Sequence, residues 1–372
     1  LLLGACAEVR VGEPPLATSA EPDPVGGLQG PHEFSGVGFT AIIGAERTGL
    51  LLGECAADVA GLNFFPRTQD GRGELLDLAG FALDQMQRKA LRGAWADARQ
   101  LPQRGHEFRD RIRLYADCHA GETNEPSAYA DKAREVLEEG YTAVKFDVDH
   151  AGVGRLDEHN WSVGAREMTH VISLIEGTRE AIGYDVDLAI DCHGQFDLPS
   201  AITLARAVEP LRLMWLEEPV PAENIESLAQ VRAATSTAIC TGENHYTRFD
   251  FLQLLRQQAV DVIMPDLAKS GGIMEGKRIA ELADAHYVPI APHNVSSPLG
   301  MMAAAHVLAS VPNFLVLEFH GREIPWWEDL CEGDKPFLQS GWMAVSDRPG
   351  LGVELNDEVA RSLLWRGDAY FD

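Results

Sequence analysis

The chain has 372 residues, and 57 acidic against 31 basic residues leave a formal net charge of −26. A surface of this sign repels the phosphate backbone of nucleic acids and anionic lipid headgroups, so we expect no nucleic acid and no membrane as a partner. An anionic substrate would therefore need positive charge supplied within its own site, from a metal ion or a lysine.

The first third of the chain is weakly patterned. Residues 1–32 are rich in Pro, Gly, Ala and Glu and lack periodicity, which is typical of a flexible tail. Residues 1–6 are apolar like the end of a signal segment, but they lack its charged region, so we expect an unstructured start and a cytoplasmic protein. Residues 33–110 form a mixed segment that contains one strand-like run and one stretch of helical spacing.

From Arg111 onward, short apolar runs rich in Val, Ile and Leu alternate with longer amphipathic stretches. The runs predict strands at Ile112–Cys118, Ala143–Val148, Asp187–His193, Met214–Glu218, Ala238–Glu243, Val262–Asp266, Val288–His293 and Leu315–Phe319. Strands that alternate with helices in this way predict a closed parallel (β/α)₈-type barrel. An open doubly wound sheet is the alternative, and the lack of a glycine-rich dinucleotide fingerprint after any strand disfavours it.

The predicted strands from the second to the eighth all end in ionisable side chains. These include Lys145, Asp191, Glu217, Glu243, Asp266, His293 and Glu318. One such residue alone is usually a solvated loop residue or a helix cap. Because catalytic groups of such barrels lie at the carboxyl ends of the strands, the whole series predicts a shared site.

Asp191, Glu217 and Glu243 follow three successive strands at equal intervals. Each interval is about one strand–helix repeat, which would place the three carboxylates side by side. Clustered carboxylates repel one another unless a cation neutralises them, and an all-oxygen set favours a hard ion such as Mg²⁺. The alternative is a set of salt-bridged surface acids, which the few nearby basic residues disfavour. Glu217 and Glu218 face opposite sides of their strand, so only one of the two should reach the metal.

Two histidines lie on either side of this predicted cluster. Asp266 ends the strand before His293, so it could hold one ring nitrogen and leave the other free as a base. His193 follows Asp191 by two residues and should face the same way. A lone histidine at a strand end is more often structural, but the acidic neighbours of these two favour a role in the site.

Several stretches in this region resemble the enolase superfamily in its mandelate racemase subgroup, and within it the galactonate- and gluconate-type acid-sugar dehydratases. They are RDRIRLYADCH, YTAVKFD, DLAIDCHG, WLEEPVPAEN, TGENHYTRFDF, IMPDLAKSGGI, APHNVSSPLG, LVLEFH and PGLGVEL. The resemblance implies a (β/α)₇β barrel over residues 111–339. It also implies an α+β capping domain formed by residues 33–110 together with 340–372. An acid-sugar substrate and a homo-oligomer are expected.

The resemblance also implies roles for individual residues. It assigns Mg²⁺ binding to Asp191, Glu217 and Glu243. It makes His293 and Asp266 the catalytic dyad. Glu318 would hydrogen-bond the substrate carboxylate, His193 would act as the general acid, and Lys145 would stabilise negative charge.

One position departs from the subgroup's pattern. Racemases carry Lys-x-Lys on the second strand, with the second lysine as a base, whereas this chain has Asp147 there. Two-base racemisation is therefore disfavoured, and a dehydratase is the leading hypothesis. An epimerase or cycloisomerase of the same superfamily is one alternative. A non-catalytic protein with a degenerate cap, suggested by the weak patterning of residues 33–110, is another.

Overall fold

The computed structural model describes residues 108–121, 123, 125–148 and 161–364. The predicted tail at 1–32 and nearly all of the predicted cap segment 33–110 lie outside these residues. Among the described residues, no helix is both long enough and apolar enough to cross a membrane.

A closed ring of parallel strands forms the body of the fold. Its strands are β1 Arg111–Asp117, β2 Ala143–Asp147, β3 Asp187–Asp191, β4 Trp215–Glu217, β5 Ile239–Thr241, β6 Val262–Ile263 and β7 Leu317–Phe319. Each strand from β1 to β6 pairs with the next, and β7 pairs in parallel with β1. Ile290 closes the remaining gap by bridging Ile263 on one side and Phe314 on the other.

Within the described ranges, seven helices connect these strands around the ring: α1 Pro126–Glu138, α2 Ala165–Ile182, α3 Leu198–Ala207, α4 Ile225–Ala233, α5 Thr247–Arg256, α6 Gly272–Asp284 and α7 Pro298–Ala309. Local signals fix where some of them begin. Asp197 accepts a hydrogen bond from the backbone of Ser200 at the start of α3, and α7 begins at a proline, whose missing N–H no helix needs at that position. The predicted (β/α)₇β barrel is confirmed.

The sixth and seventh strand positions are shorter than predicted. The sequence predicts strands over Val262–Asp266 and Val288–His293, yet β6 has only two residues and the seventh position is a single bridge at Ile290. Pro265 lies in the first of these runs, and Pro289 and Pro292 lie in the second. Proline has no N–H to donate to a ladder, so the chain stays extended here without continuous pairing.

Side chains alternate along each strand between the helices and the interior of the ring. An inner cluster fills the ring with Tyr115, Ala143, Ala189, Trp215, Cys240, Val262, Met264, Ala291 and Val316. The rings of Tyr115 and Trp215 meet edge to face with their centroids 5.5 Å apart. Two residues beyond this cluster, Asp117, Lys145, Asp191, Glu217, Asp266, His293 and Glu318 therefore face inward at the carboxyl end of the barrel.

The segment after β7 contains β8 Cys331–Glu332, β9 Leu338–Gln339, β10 Trp342–Ala344, β11 Glu354–Leu355 and α8 Asp357–Ser362. β10 pairs antiparallel with the first residues of β1, where Arg111 lies opposite Ala344. The C-terminal segment is thereby attached to the barrel at the start of β1. The assignment of residues 340–372 to a cap stays a prediction.

Candidate active site

The ladder register brings several predicted site residues to the same end of the barrel. Asp147, Asp191 and Glu217 form one row across β2, β3 and β4. Lys145 pairs with Asp117 on the other side of β2. One cleft is lined by Asp117, His119, Lys145, Asp147, Asp191, His193, His293, Val295, Glu318 and His320.

Asp191, Glu217 and Glu243 form a compact carboxylate trio. Each offers one oxygen, and these oxygens lie within 4.8 Å of one another. Asp191 and Glu217 are almost fully buried, and the side chain of Glu243 is 12% exposed. Burial, with the charge of Asp191 added to it, raises the pKa of Glu217 well above its ordinary value. The trio thus concentrates negative charge that favours a cation.

Lys145 supplies a buried positive charge between three carboxylates. Its Nζ lies 3.2 Å from Asp191 Oδ2, 3.1 Å from Glu217 Oε1 and 2.7 Å from Glu318 Oε1. Burial alone would lower the pKa of this lysine, but the surrounding carboxylates, Glu217 first, raise it well above its ordinary value. Glu318 also accepts a hydrogen bond of 2.7 Å from the backbone N–H of Asn294. The lysine therefore stays charged and holds this side of the site together.

His293 contacts acidic groups through both ring nitrogens. Nδ1 lies 2.9 Å from Asp266 Oδ2, and Nε2 lies 2.9 Å from Glu243 Oε2. Burial lowers the pKa of this imidazole, but Glu243, Glu318 and Asp266 outweigh burial and raise it well above its ordinary value. His293 can accept a proton only where another charge neutralises Glu243. The nitrogen that the sequence prediction left free as a base is therefore the one that faces the carboxylate trio.

His193 reaches the site from the opposite side of the ring. It follows β3, while His293 follows the seventh strand position, and these positions are opposite in a ring of eight. The residue has a left-handed backbone with φ of 44°, and its N–H donates to Asp191 Oδ1 at 2.9 Å. Ring Nε2 lies 3.4 Å from Asp191 Oδ2. The side chain is 36% exposed, so its ring is open to the cleft.

Comparison with known proteins shows which family the chain belongs to. Residues 128–359 match the enolase C-terminal domain-like family. The chain belongs to this family. A mandelate racemase/muconate lactonizing enzyme-like protein from Rubrobacter xylanophilus DSM 9941 has a crystal structure that is similar with a TM-score of 0.69, at 46% identity over 72% of each chain.

Two relatives of this enolase-family chain carry activity names. D-xylonate dehydratase of Haloferax volcanii is 42% identical over 269 residues, which is 72% of this chain and 65% of that protein. D-gluconate dehydratase of Thermoproteus tenax is 32% identical over 68% of this chain and 50% of that protein. The chain therefore spans between half and two thirds of the length of these curated relatives.

The carboxylate trio fits the divalent ion that enolase-superfamily sites use. Its donors are three carboxylate oxygens, the ligand type that Mg²⁺ prefers. The two lysines nearest the trio are each shared with another carboxylate. Lys145 also contacts Glu318, and Lys269, whose Nζ lies 3.6 Å from Glu243 Oε2, also lies 3.9 Å from Asp266 Oδ2. A cation at the trio would balance its remaining negative charge.

Glu218 lies apart from the trio although it follows Glu217 directly. Its carboxylate accepts hydrogen bonds from Thr241 Oγ1 at 2.8 Å and from Asn244 Nδ2 at 2.7 Å. Burial, with the charge of Glu243 added to it, raises the pKa of Glu218 to about 7. Its contacts brace the loop that carries Glu243 rather than reaching Lys145 as Glu217 does.

Three further residues of the cleft, Asp117, His119 and His320, are not among the site residues predicted from the sequence. They lie in the same cleft, and His320 Nδ1 donates a hydrogen bond to Asp117 Oδ2. The signal that could have found them is the two-residue alternation used for the other strands. It runs through Tyr115, Asp117 and His119 on the first strand, and through Glu318 and His320 on the last.

Proposed function

We propose that this protein is a Mg²⁺-dependent dehydratase of acid sugars. It removes the proton from the carbon next to the substrate carboxylate and eliminates the hydroxyl on the following carbon as water. The product is a 2-keto-3-deoxy acid. The observation that carries the proposal is the pair of histidines on opposite sides of the barrel mouth, one oriented by Asp266, with Lys145 and the carboxylate trio between them.

The first half of the reaction needs charge stabilisation, because the proton next to a carboxylate is too weakly acidic for an unassisted imidazole. When bound by Asp191, Glu217 and Glu243, Mg²⁺ would neutralise negative charge on the carboxylate oxygens of the substrate. Lys145 adds a second positive charge within the same buried region. Glu318 in its carboxylic acid form would donate a hydrogen bond to the substrate carboxylate and fix its orientation. His293, oriented by Asp266, takes the proton from the neighbouring carbon.

The second half of the reaction separates a dehydratase from an epimerase. A hydroxide ion is a poor leaving group, so His193 gives its proton to the β-hydroxyl as the carbon–oxygen bond breaks and water departs. The resulting enol tautomerises to the keto acid. An epimerase needs no such acid, and a two-base racemase would need a lysine where this chain has Asp147.

The test is a screen of aldonic and aldaric acids with Mg²⁺ for 2-keto-3-deoxy products. D-Xylonate and D-gluconate come first because relatives are named for them. His193→Ala should still exchange the α-proton with solvent deuterium yet form no keto acid. Normal product formation by His193→Ala at saturating Mg²⁺ would remove this residue's role. Exchange without any keto acid in the wild-type protein would favour an epimerase, and neither exchange nor product would favour a non-catalytic protein.

A further inference from the structure

A second group of side chains, outside the proposed catalytic set, lies at the rim of the same cleft. We call Asp117, His119 and His320 the rim triad. Asp117 ends β1 and pairs across the ladder with Lys145. His119 and His320 stand two residues beyond Asp117 and Glu318, just after β1 and β7, which are neighbours in the ring. The two imidazoles are therefore nearer the mouth of the barrel than Lys145 and Glu318 are.

The rim triad has hydrogen-bonding capacity that the described residues do not fill. The side chain of Asp117 is only 8% exposed, and its Oδ1 is buried without a hydrogen-bond partner while Oδ2 bonds His320. The ring nitrogens of His119 lie 3.9 Å from Asp117 Oδ2 and 3.6 Å from Asp147 Oδ2, both too long for a hydrogen bond. Because unpaired buried acceptors are costly, this group is suited to a ligand that donates to it.

The chemistry of the rim triad matches hydroxyl groups. Burial lowers the pKa of His119, so its neutral ring offers one donor and one acceptor. Burial also lowers the pKa of His320, but the charge and hydrogen bond of Asp117 outweigh burial and raise this pKa to about 9. The protonated ring of His320 therefore donates from both nitrogens. Hydroxyls both donate and accept, as this mixed set requires. A transition-metal ion could use the same atoms, but it would have to break the His320–Asp117 hydrogen bond.

We propose that the rim triad is the subsite for the hydroxyl-bearing tail of the acid sugar, beyond the two carbons that react. This inference rests on the proposed function. A substrate carboxylate beside Lys145 and Glu318 leaves the remaining hydroxyls to extend towards the barrel mouth, where His119 and His320 are 36% and 44% exposed. The subsite would select acids with a polyol tail over short hydroxy acids.

The experiment compares D-gluconate with glycerate, which keeps the α-proton and the β-hydroxyl but has no tail. Binding of both is measured by calorimetry with saturating Mg²⁺ in the His293→Asn background, so that no turnover occurs. We expect gluconate to bind more tightly than glycerate. Adding His119→Ala or His320→Ala should weaken gluconate binding by about tenfold while glycerate binding changes by less than about twofold. The exposed His286→Ala serves as the matched control and should change neither.

A conservative variant guards against a merely structural effect. His119→Asn keeps a donor and an acceptor, so it should retain part of the preference for gluconate. The subsite would be overturned if His119→Ala and His320→Ala weakened the binding of both acids equally or left gluconate binding unchanged. Equal binding of gluconate and glycerate by the His293→Asn protein would also overturn it. So would a Zn²⁺ ion that binds beside saturating Mg²⁺ and is lost in His119→Ala.

The keto-acid assay separates this inference from the proposed function. If the wild-type protein dehydrates aldonates while the rim variants fail the binding comparison, the subsite is wrong and the function stands. If no aldonate is dehydrated while gluconate binding depends on the rim triad, the proposed reaction is wrong, and only the binding of hydroxyl groups by the rim triad stands. Absence of any gluconate binding would overturn the subsite.

Discussion

At the scale of single residues, the site is organised by two positive groups with different partners. Lys145 contacts Asp191, Glu217 and Glu318, while His293 contacts Glu243 and Asp266. Lys145 therefore faces the Asp191 and Glu217 side of the trio. Glu243 is shared between His293, which must lose its proton to act, and Lys269, whose Nζ lies 3.6 Å from Glu243 Oε2. This division makes the basicity of His293 depend on how Glu243 is neutralised.

Replacing His293 with Asn should abolish exchange of the substrate α-proton with solvent deuterium, because the base is gone. Asp266→Asn should leave the fold intact but slow exchange by roughly 10²-fold or more, since the imidazole loses the group that sets its tautomer. Exchange is followed by NMR in D₂O, with thermal unfolding of each variant as the folding control. Wild-type exchange rates in His293→Asn would mean that another residue is the base.

Comparing Glu217 with Glu218 tests which of these two adjacent glutamates is a Mg²⁺ ligand. Glu217→Gln should weaken Mg²⁺ binding by more than about 100-fold, because a ligand is lost. Glu218→Gln should weaken Mg²⁺ binding less, by roughly 10- to 100-fold or less, because Glu218 only braces the loop that carries Glu243. Calorimetric titration with Mg²⁺ measures both, and Asp191→Asn and Glu243→Gln should behave like Glu217→Gln. The reverse order would move the ligand from Glu217 to Glu218.

At the scale of elements, the strand ladder explains how much the sequence could predict. The positions of the eight strands, and the residues at the ends of seven of them, followed from apolar runs and two-residue alternation. The shortening of β6 could not be read from apolarity alone, since Pro265 interrupts pairing without changing the run. The partners of His293 and Lys145 also needed the structure, because strand spacing fixes which residues are neighbours but not which oxygens they contact.

The Asp117–His320 hydrogen bond joins the ends of two neighbouring strands, β1 and β7. The folded-state pKa of His320 is raised to about 9, so the pair should contribute stability that is fully present below about pH 6.5. That contribution should be lost as pH rises through 9. Because the side chain of His320 is 44% exposed, we expect less than about 1 kcal/mol.

Chemical denaturation of the wild-type protein and His320→Asn from pH 6 to pH 10 measures this contribution. The difference in unfolding free energy between the two proteins should shrink across this range. His286→Asn, an exposed site on the same barrel, provides the baseline. A difference that stays constant, or grows with pH, would contradict the assignment of the charged pair.

At the scale of the whole molecule, the acidity of the chain is separate from the chemistry of the site. The net charge of −26 is spread along the sequence, whereas the positive charge that the proposed substrate needs is local, at Lys145. Self-repulsion of like charges destabilises a compact state. One instance is visible in the sheet formed by β8 and β11, where Glu332 lies directly opposite Glu354 and both are exposed.

Salt should therefore stabilise this protein. Raising KCl from 0.1 M to 1 M shortens the Debye length from about 10 Å to about 3 Å, which screens most repulsion between exposed charges. We expect the unfolding temperature to rise by roughly 2–3 °C, the equivalent of about 2 kcal/mol for a chain of 372 residues. Scanning calorimetry across a KCl series measures the shift.

A charge-reversal variant tests whether screening is the cause. Glu354→Lys turns the repulsive pair with Glu332 into an attractive one, so it should stabilise the protein by about 0.2–1 kcal/mol at 0.1 M KCl. In 1 M KCl the gain should nearly vanish, because salt screens both the repulsion and the new attraction. An unfolding temperature that is flat or falls with KCl would contradict the argument, and so would a gain that persists undiminished at high salt.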